Sequence, residues 1–252
     1  MKHDYRVGAF LMRIRPAPLA AFLKWLLRVR RIEVRTPEGR FWIDPASYQG
    51  QQLIKSQGYE PAMLGALKAH LRSGGVFVDL GANEGYFSVV AARIVGPTGR
   101  VLAIEPQHRL VPVLQRNFAL NGCTQVTVVV AAISDQSGTA RLHLTPSLNT
   151  GASGLRAPTC YPLFRQPVVL ATLSEVLQQA QIRCCDVMKI DIEGWEYEAV
   201  LGSRDLFVQR RVRTLALELH PHLIQSRSLS VDHITSFLRV CGYRTVQSCG
   251  QT

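Results

Sequence analysis

No two cysteines stand at C-x-x-C spacing in this sequence. The six are Cys123, Cys160, Cys184, Cys185, Cys241 and Cys249, and none falls at metal-ligand spacing. A cysteine-built metal site is excluded, and a reduced, cytoplasmic compartment is the expectation. Long apolar runs are missing too. The stretch 18–29 is interrupted by Lys24 and Arg28 and has no small-residue cleavage site. It reads neither as a secretory signal nor as a membrane span. There is no internal repeat and no low-complexity tract. Acidic residues are in deficit, 18 Asp and Glu against 29 Lys and Arg, for a net charge of +11. The deficit is local: residues 1–35 hold nine basic side chains against two acidic ones, which is +7 of the +11. Such an arm suits anionic lipid, nucleic acid or an acidic partner.

What is present centres on VFVDLGANEGYFS, residues 76–88. The apolar run at its start predicts a buried strand, the glycine-bearing segment a turn, and residues 86–95 a helix. Together these make the first unit of a nucleotide-binding α/β sheet. The turn lacks the middle glycine of G-x-G-x-x-G, and it places the anionic Asp79 where a phosphate would be repelled. A cationic, phosphate-free adenosine compound fits better, and S-adenosylmethionine is one. Twenty positions after Gly85, the run VLAIE ends in Glu105, a carboxylate able to accept both ribose hydroxyls. An NAD oxidoreductase is disfavoured by the missing glycine.

Along the chain, residues 1–17 read as a loosely held basic segment. Residues 19–31 predict a helix with Phe22, Leu23, Leu26 and Leu27 on one face. Two readings stand for it: a helix packed on the catalytic domain, and a peripheral membrane helix. A β-hairpin around Pro37-Glu38-Gly39 and a helix over 61–72 come next. Core strands are predicted at 76–80, 101–105, 126–133, 186–190 and 214–219, and a final strand at 243–248. Helices are predicted at 109–121, from the capping box Thr172–Glu175 to Gln181, at 195–201 and at 231–241. An edge strand is predicted at 139–144. Residues 145–162, rich in Ser, Thr, Gly and Pro, read as a lid or acceptor loop.

Four segments, VFVDLGANEGYFS, VLAIEP, TLSEVL and VMKIDIEGWEYEAVLG, resemble the FkbM-type S-adenosylmethionine-dependent methyltransferases over roughly residues 38–220. The D-x-E-G turn at 191–194 is the most diagnostic. The resemblance implies a class I methyltransferase fold: a Rossmann-like, mostly parallel seven-strand sheet with helices on both faces. Residues 1–60 would be an N-terminal arm, helix and hairpin packed on a catalytic domain, 61–252. It also implies methylation of a hydroxyl oxygen on a sugar, glycan or secondary metabolite.

The cofactor residues expected are Asp79, Gly81, Ala82, Asn83, Gly85 and Tyr86 along the turn, Glu105 and Pro106 after the second strand, Ser134 and Asp135 after the third, where Ala132 to Asp135 should lie near adenine, and Asp191. A hydroxyl acceptor needs its proton removed, so a base is expected. Asp191 and Glu193 are two apart, as are Glu218 and His220. In a sheet ordered 3-2-1-4-5 the two pairs converge near the acceptor. Asp191, Glu193 and His220 are the expected catalytic residues, with a neutral His220 or Glu193 as base. No metal is expected, although the four groups could hold Mg²⁺. Two alternatives remain. One is a nucleic-acid methyltransferase gripping phosphate with the basic arm, which the two carboxylates of the Asp-Ile-Glu-Gly turn disfavour. The other is a non-catalytic, membrane-recruited binding module.

Overall fold

A computed structural model describes residues 2–14, 17–55, 59–145, 150–155 and 164–246. The chain opens with α1 (Lys2–Leu11), α2 (Ala17–Leu26), β1 (Ile32–Thr36), β2 (Gly39–Ile43) and α3 (Tyr48–Ile54). Next come α4 (Pro61–His70), β3 (Val76–Leu80), α5 (Tyr86–Val95), β4 (Arg100–Ile104), α6 (Val111–Leu120), β5 (Val126–Val129), β6 (Ala132–Ser134) and β7 (Gly138–His143). The remainder is β8 (Arg165–Thr172), α7 (Leu173–Gln179), β9 (Cys185–Ile190), α8 (Glu196–Leu201), α9 (Arg204–Val208), β10 (Val212–Leu217), α10 (Pro221–Gln225) and α11 (Val231–Val240).

The central sheet has the order β10-β9-β3-β4-β5, and every pairing in it is parallel. That is the order expected for the core strands. Because the side chains of a strand alternate between its faces, two separate cores form. Val78, Leu80, Leu102, Met188 and Ile190 face a layer that includes α7, α8 and α11. Phe77, Val101, Ala103 and Val187 face β2, α4, α5 and α6. Each large apolar side chain removed from water here contributes about 1.5–3 kcal/mol.

A single seven-strand sheet is not what the described residues form. The run expected as one strand over 126–133 breaks at 130–131. Its first half stays beside β4, while its second half, β6, pairs with β8 in a separate three-stranded sheet that β7 completes. Residues 243–246 are irregular where a last strand was expected, and 247–248 lie outside the described residues.

The first segment is also more ordered than its composition suggests. Val7, Leu11 and Ile14 recur at helical spacing, and Leu11 is buried against Ala20 of α2 and Ala46. The hairpin forms as expected, Thr36 pairing with Gly39. It packs Phe41 and Ile43 into the core beneath α5 and α6. Arg31, just before β1, pairs with buried Glu84 at 2.6 Å.

Candidate active site

The site lies where the parallel strands end. Gly81 and Gly85 both have positive φ, +80° and +84°. A Cβ on Gly81 would sit 1.9 Å from the backbone oxygen of Asp191, and one on Gly85 would press on Leu114 and Phe118 of α6. The glycines therefore serve a left-handed turn that lets the ends of β3 and β9 touch and α6 close in. Gly81 also lines the cleft, where its backbone is open to a ligand as expected, whereas Gly85 does not and serves packing alone. Ala82 donates its N–H to the Ile104 carbonyl, and Tyr86 packs among Phe41, Tyr59 and Phe87. Neither Ala82 nor Tyr86 lines the cleft, contrary to expectation.

Glu105 does line it, buried at the end of β4. Its two oxygens accept backbone N–H groups from Asn83 and Gln107 at 2.8 and 2.9 Å. Burial raises its pKa against these bonds. Asn83, itself at φ +49°, accepts a hydroxyl bond from Thr150 at 2.9 Å. Gln107 donates to the Thr150 carbonyl. The part of the 145–162 loop that is described, residues 150–155, thus closes over the turn, and Gly151, Ser153 and Leu155 line the cleft. Residues 146–149 and 156–162 lie outside the described residues. Pro106 lines the cleft as expected. Of the segment expected near adenine, Ala132 and Ile133 line the cleft together with Ala131, at the break between β5 and β6, while Ser134 and Asp135 do not. Pairing of β6 with β8 carries the chain away from the cleft, leaving the Ser134 hydroxyl bonded to an exposed Asp135.

Asp79 is fully buried and does not line the cleft. It accepts a 2.7 Å bond from the Ser88 hydroxyl, and its other oxygen lies 3.4 Å from the ammonium of Lys189. Asp79 was expected to meet a bound ligand's ammonium directly or through water; its burial and its pairing with Lys189 stand against the direct contact. Lys189 is also buried. It reaches Asp191 at 3.3 Å and donates to the Gly81 carbonyl at 3.0 Å. Burial opposes its charge, but Asp191 and Asp79 outweigh that and raise its pKa. Sequence reasoning missed this residue. The signal was available: a lysine inside a buried strand needs a carboxylate partner.

Asp191, Glu193, Glu218 and His220 come together as the strand order implies. The His220 Nε2 lies 3.6 Å from Glu193 and 3.9 Å from Asp191. Its Nδ1 lies 2.9 Å from Glu196, whose carboxylate is fully buried and caps the turn by accepting from Gly194 N–H. Burial works against the imidazolium. The Glu196 bond and the carboxylates of Glu196, Glu193 and Asp191 win, and His220 is pushed up to about 9. This direction favours the imidazolium over the neutral imidazole expected near pH 7. Burial, opposed by His220 and helped by Asp191, pushes Glu193 up to about 7. Burial and then Asp191 also raise Glu218.

Glu60, overlooked in the sequence, enters from the segment before α4. Burial pushes it up to about 7 against its Tyr59 bond. Nothing local marked it, because the charged groups around it, Lys189, Asp191 and Glu218, lie on or just past β9 and β10, far along the chain. Asp191, Glu193 and His220 lie close enough to share an ion, as do Glu60, Asp191 and Glu218. The proton held by His220 and the ammonium beside Asp191 both oppose metal ligation.

The cleft therefore offers a buried carboxylate, a small apolar wall and a group of carboxylates around one imidazolium. Among the described residues no Lys or Arg lines it. It can accept hydroxyl and ammonium protons and hold an apolar ring, and it is poorly suited to a phosphate.

A model of the methyltransferase FkbM domain matches residues 79–245. The methyltransferase sdnD of Sordaria araneosa is 30% identical over 163 residues, which span 53% of this chain and 62% of that protein. Among solved structures, the methyltransferase FkbM from Methylobacillus flagellatus KT is 16% identical, with 93% of this chain and 53% of that chain covered and a TM-score of 0.44. The precorrin-6y C5,15-methyltransferase from Geobacter metallireducens GS-15 is 17% identical, with 73% and 70% covered and a TM-score of 0.43.

Proposed function

The chain belongs to the FkbM methyltransferase family, and from that premise we propose that it transfers a methyl group from S-adenosylmethionine to a hydroxyl oxygen of a sugar, glycan or secondary metabolite. One observation carries the reading: Asp191, Glu193 and His220 meet in one cleft with Glu105, at the carboxyl ends of neighbouring parallel strands.

The lining fits the donor. Glu105 has both oxygens fixed by backbone N–H groups, and each keeps a lone pair for a ribose hydroxyl. Ala131, Ala132 and Ile133 offer an apolar wall to a base, and Asn83 a side-chain amide to the amino-acid end. The lack of cationic lining among the described residues argues against a dinucleotide. Asp79 contributes from behind, holding Lys189 and through it Asp191. When bound, S-adenosylmethionine supplies a methyl group on a good leaving group, so the protein's tasks are alignment, dryness and proton removal.

Glu193 is assigned the base. Its carboxyl near 7 is poised between accepting and releasing a proton at working pH. As the acceptor oxygen forms its bond to carbon, its proton passes to Glu193. His220, locked by Glu196 from behind, stays protonated and orients the Glu193 and Asp191 carboxylates. Asp191 stands beside the reacting centre and steadies positive charge there.

Calorimetry with S-adenosylmethionine, followed by labelled-methyl transfer to a panel of polyols and glycosides, tests the reading. Binding of the donor together with alkali-stable labelling of a hydroxyl acceptor supports it. Uptake of a dinucleotide with no affinity for the donor overturns it.

A further inference from the structure

Helix α2 is apolar on two opposite faces, and the fold uses one of them. Ala20 and Leu23 pack inward with Leu11 and Ala46. On the other side Leu19, Phe22 and Leu26 follow one another at helical spacing with Trp25 beside them, and all are exposed, Trp25 by 73% and Phe22 by 56%. Leu27, just past the helix end, is exposed as well. Scattered surface leucines need no explanation, but two aromatics in ring contact and three leucines along one helix and its end form a patch of the kind that marks an interaction site. The positive rim is as distinctive. Arg13, Arg28 and Arg30 are exposed, and among the described residues Arg28 and Arg30 make no ion pair. Both arginines also line a shallow groove beside Trp25 and Leu26.

We propose that this face of α2 docks on an anionic lipid surface, lying in the plane of the membrane with Phe22, Trp25 and Leu26 among the acyl chains and Arg28 and Arg30 at the headgroups. The length of the helix agrees: ten residues reach about 15 Å, and no helix among the described residues is long and apolar enough to cross a bilayer. Charge selects the occupant. A second copy would bring the same cationic rims face to face, and a nucleic acid would satisfy the arginines while leaving the leucines and aromatics in water. An anionic bilayer meets both needs, since basic side chains and an aromatic-rich apolar face are what interfacial helices use. The hydrophobic inner face keeps the helix folded on the protein, so the outer face is presented ready-made.

Co-sedimentation of the full chain with phosphatidylcholine vesicles, with and without roughly one-third phosphatidylglycerol, tests the proposal. The protein is expected to sediment with the anionic vesicles and to leave them as salt rises. The triple variant Phe22→Ser/Trp25→Ser/Leu26→Ser should lose that binding while keeping its melting temperature, because all three side chains already face solvent. Arg28→Gln/Arg30→Gln should lower partitioning roughly thirtyfold. Sedimentation that ignores vesicle charge, or that the triple variant retains, would overturn the proposal. So would a concentration-dependent dimer that the triple variant dissolves, since the face would then belong to a second copy. Salt-sensitive RNA binding with no vesicle binding would assign the basic rim to nucleic acid and equally end it.

Discussion

Asp79 and Lys189 are register partners on adjacent strands, β3 and β9, and their charged groups meet 3.4 Å apart in the interior of the sheet. The pair stands directly behind the cleft. From there Lys189 also reaches Asp191 and the Gly81 carbonyl. A single ammonium thus joins the first turn, the fourth core strand and the cleft carboxylate of Asp191.

Removing one member of such a pair strands the other charge without water. Lys189→Met is expected to lower stability by about 3–5 kcal/mol, measured by urea unfolding. Adding Asp79→Asn should recover a good part of that loss, because the stranded carboxylate is then gone. A double variant no more stable than the single one would show that the pair is not the source of the cost.

Glu105→Ala should weaken S-adenosylmethionine binding by roughly 10–100-fold, the worth of charge-assisted hydrogen bonds. Calorimetry reads this directly. Because Glu105 also fixes the backbone of Asn83 and Gln107, circular dichroism of the apo protein must accompany it. A normal spectrum with weakened binding isolates the ligand contact.

Glu193→Gln should reduce kcat by about 10²–10⁴-fold and leave donor affinity nearly unchanged. The pH profile gives a second check. Activity should rise through about 7 as Glu193 loses its proton and fall through about 9 as His220 does. In Glu193→Gln the limb near 7 should disappear.

The same groups set the pH dependence of stability in the free protein. Glu60 and Glu193 bind protons more tightly folded than unfolded, near 7 against an ordinary value of 4.5. Their contribution is complete below about 4.5 and is lost as pH rises through about 7. His220, raised from 6.5 to about 9, contributes fully below 6.5 and loses its share as pH rises through 9. The melting temperature should therefore decline between pH 6 and pH 9, and Glu60→Gln should flatten the part of the decline near 7. A melting temperature that rises over this range would contradict the assignment.

Gly81→Ala should disrupt the site through the backbone. The added methyl would meet the Asp191 carbonyl at 1.9 Å, at a φ that side chains rarely adopt. The expected result is a loss of stability with a shift of Asp191. Donor binding and turnover should fall together, whereas Glu193→Gln should affect turnover alone.

The core strands were legible because each is a short, nearly unbroken apolar run, as parallel strands buried on both faces must be. The capping box at Thr172 and Glu175 formed as its spacing implies. Convergence of Asp191, Glu193, Glu218 and His220 followed from strand order plus alternation. The turn glycines were located correctly, but their packing role was not visible, because what presses on Gly81 is Asp191, more than a hundred residues later. Distance along the chain also hid Glu60. Ser134 and Asp135 were misplaced for a different reason. An apolar run such as 126–133 carries no mark of where it changes sheets, and that change moved the cleft wall back to residues 131–133. Helix α1 was missed because its charges obscured the spacing of Val7, Leu11 and Ile14.

The ion pair between Arg31 and Glu84 has a practical consequence for anyone trimming this protein. Glu84 belongs to the glycine turn and is 2% exposed. A chain begun at residue 61 would remove its counter-ion and also take Phe41 and Ile43 from beneath α5 and α6. Such a shortened chain would expose a hydrophobic wound beside an orphaned anion in the glycine turn. The leading sixty residues are better regarded as part of the floor on which the catalytic machinery stands than as a detachable handle.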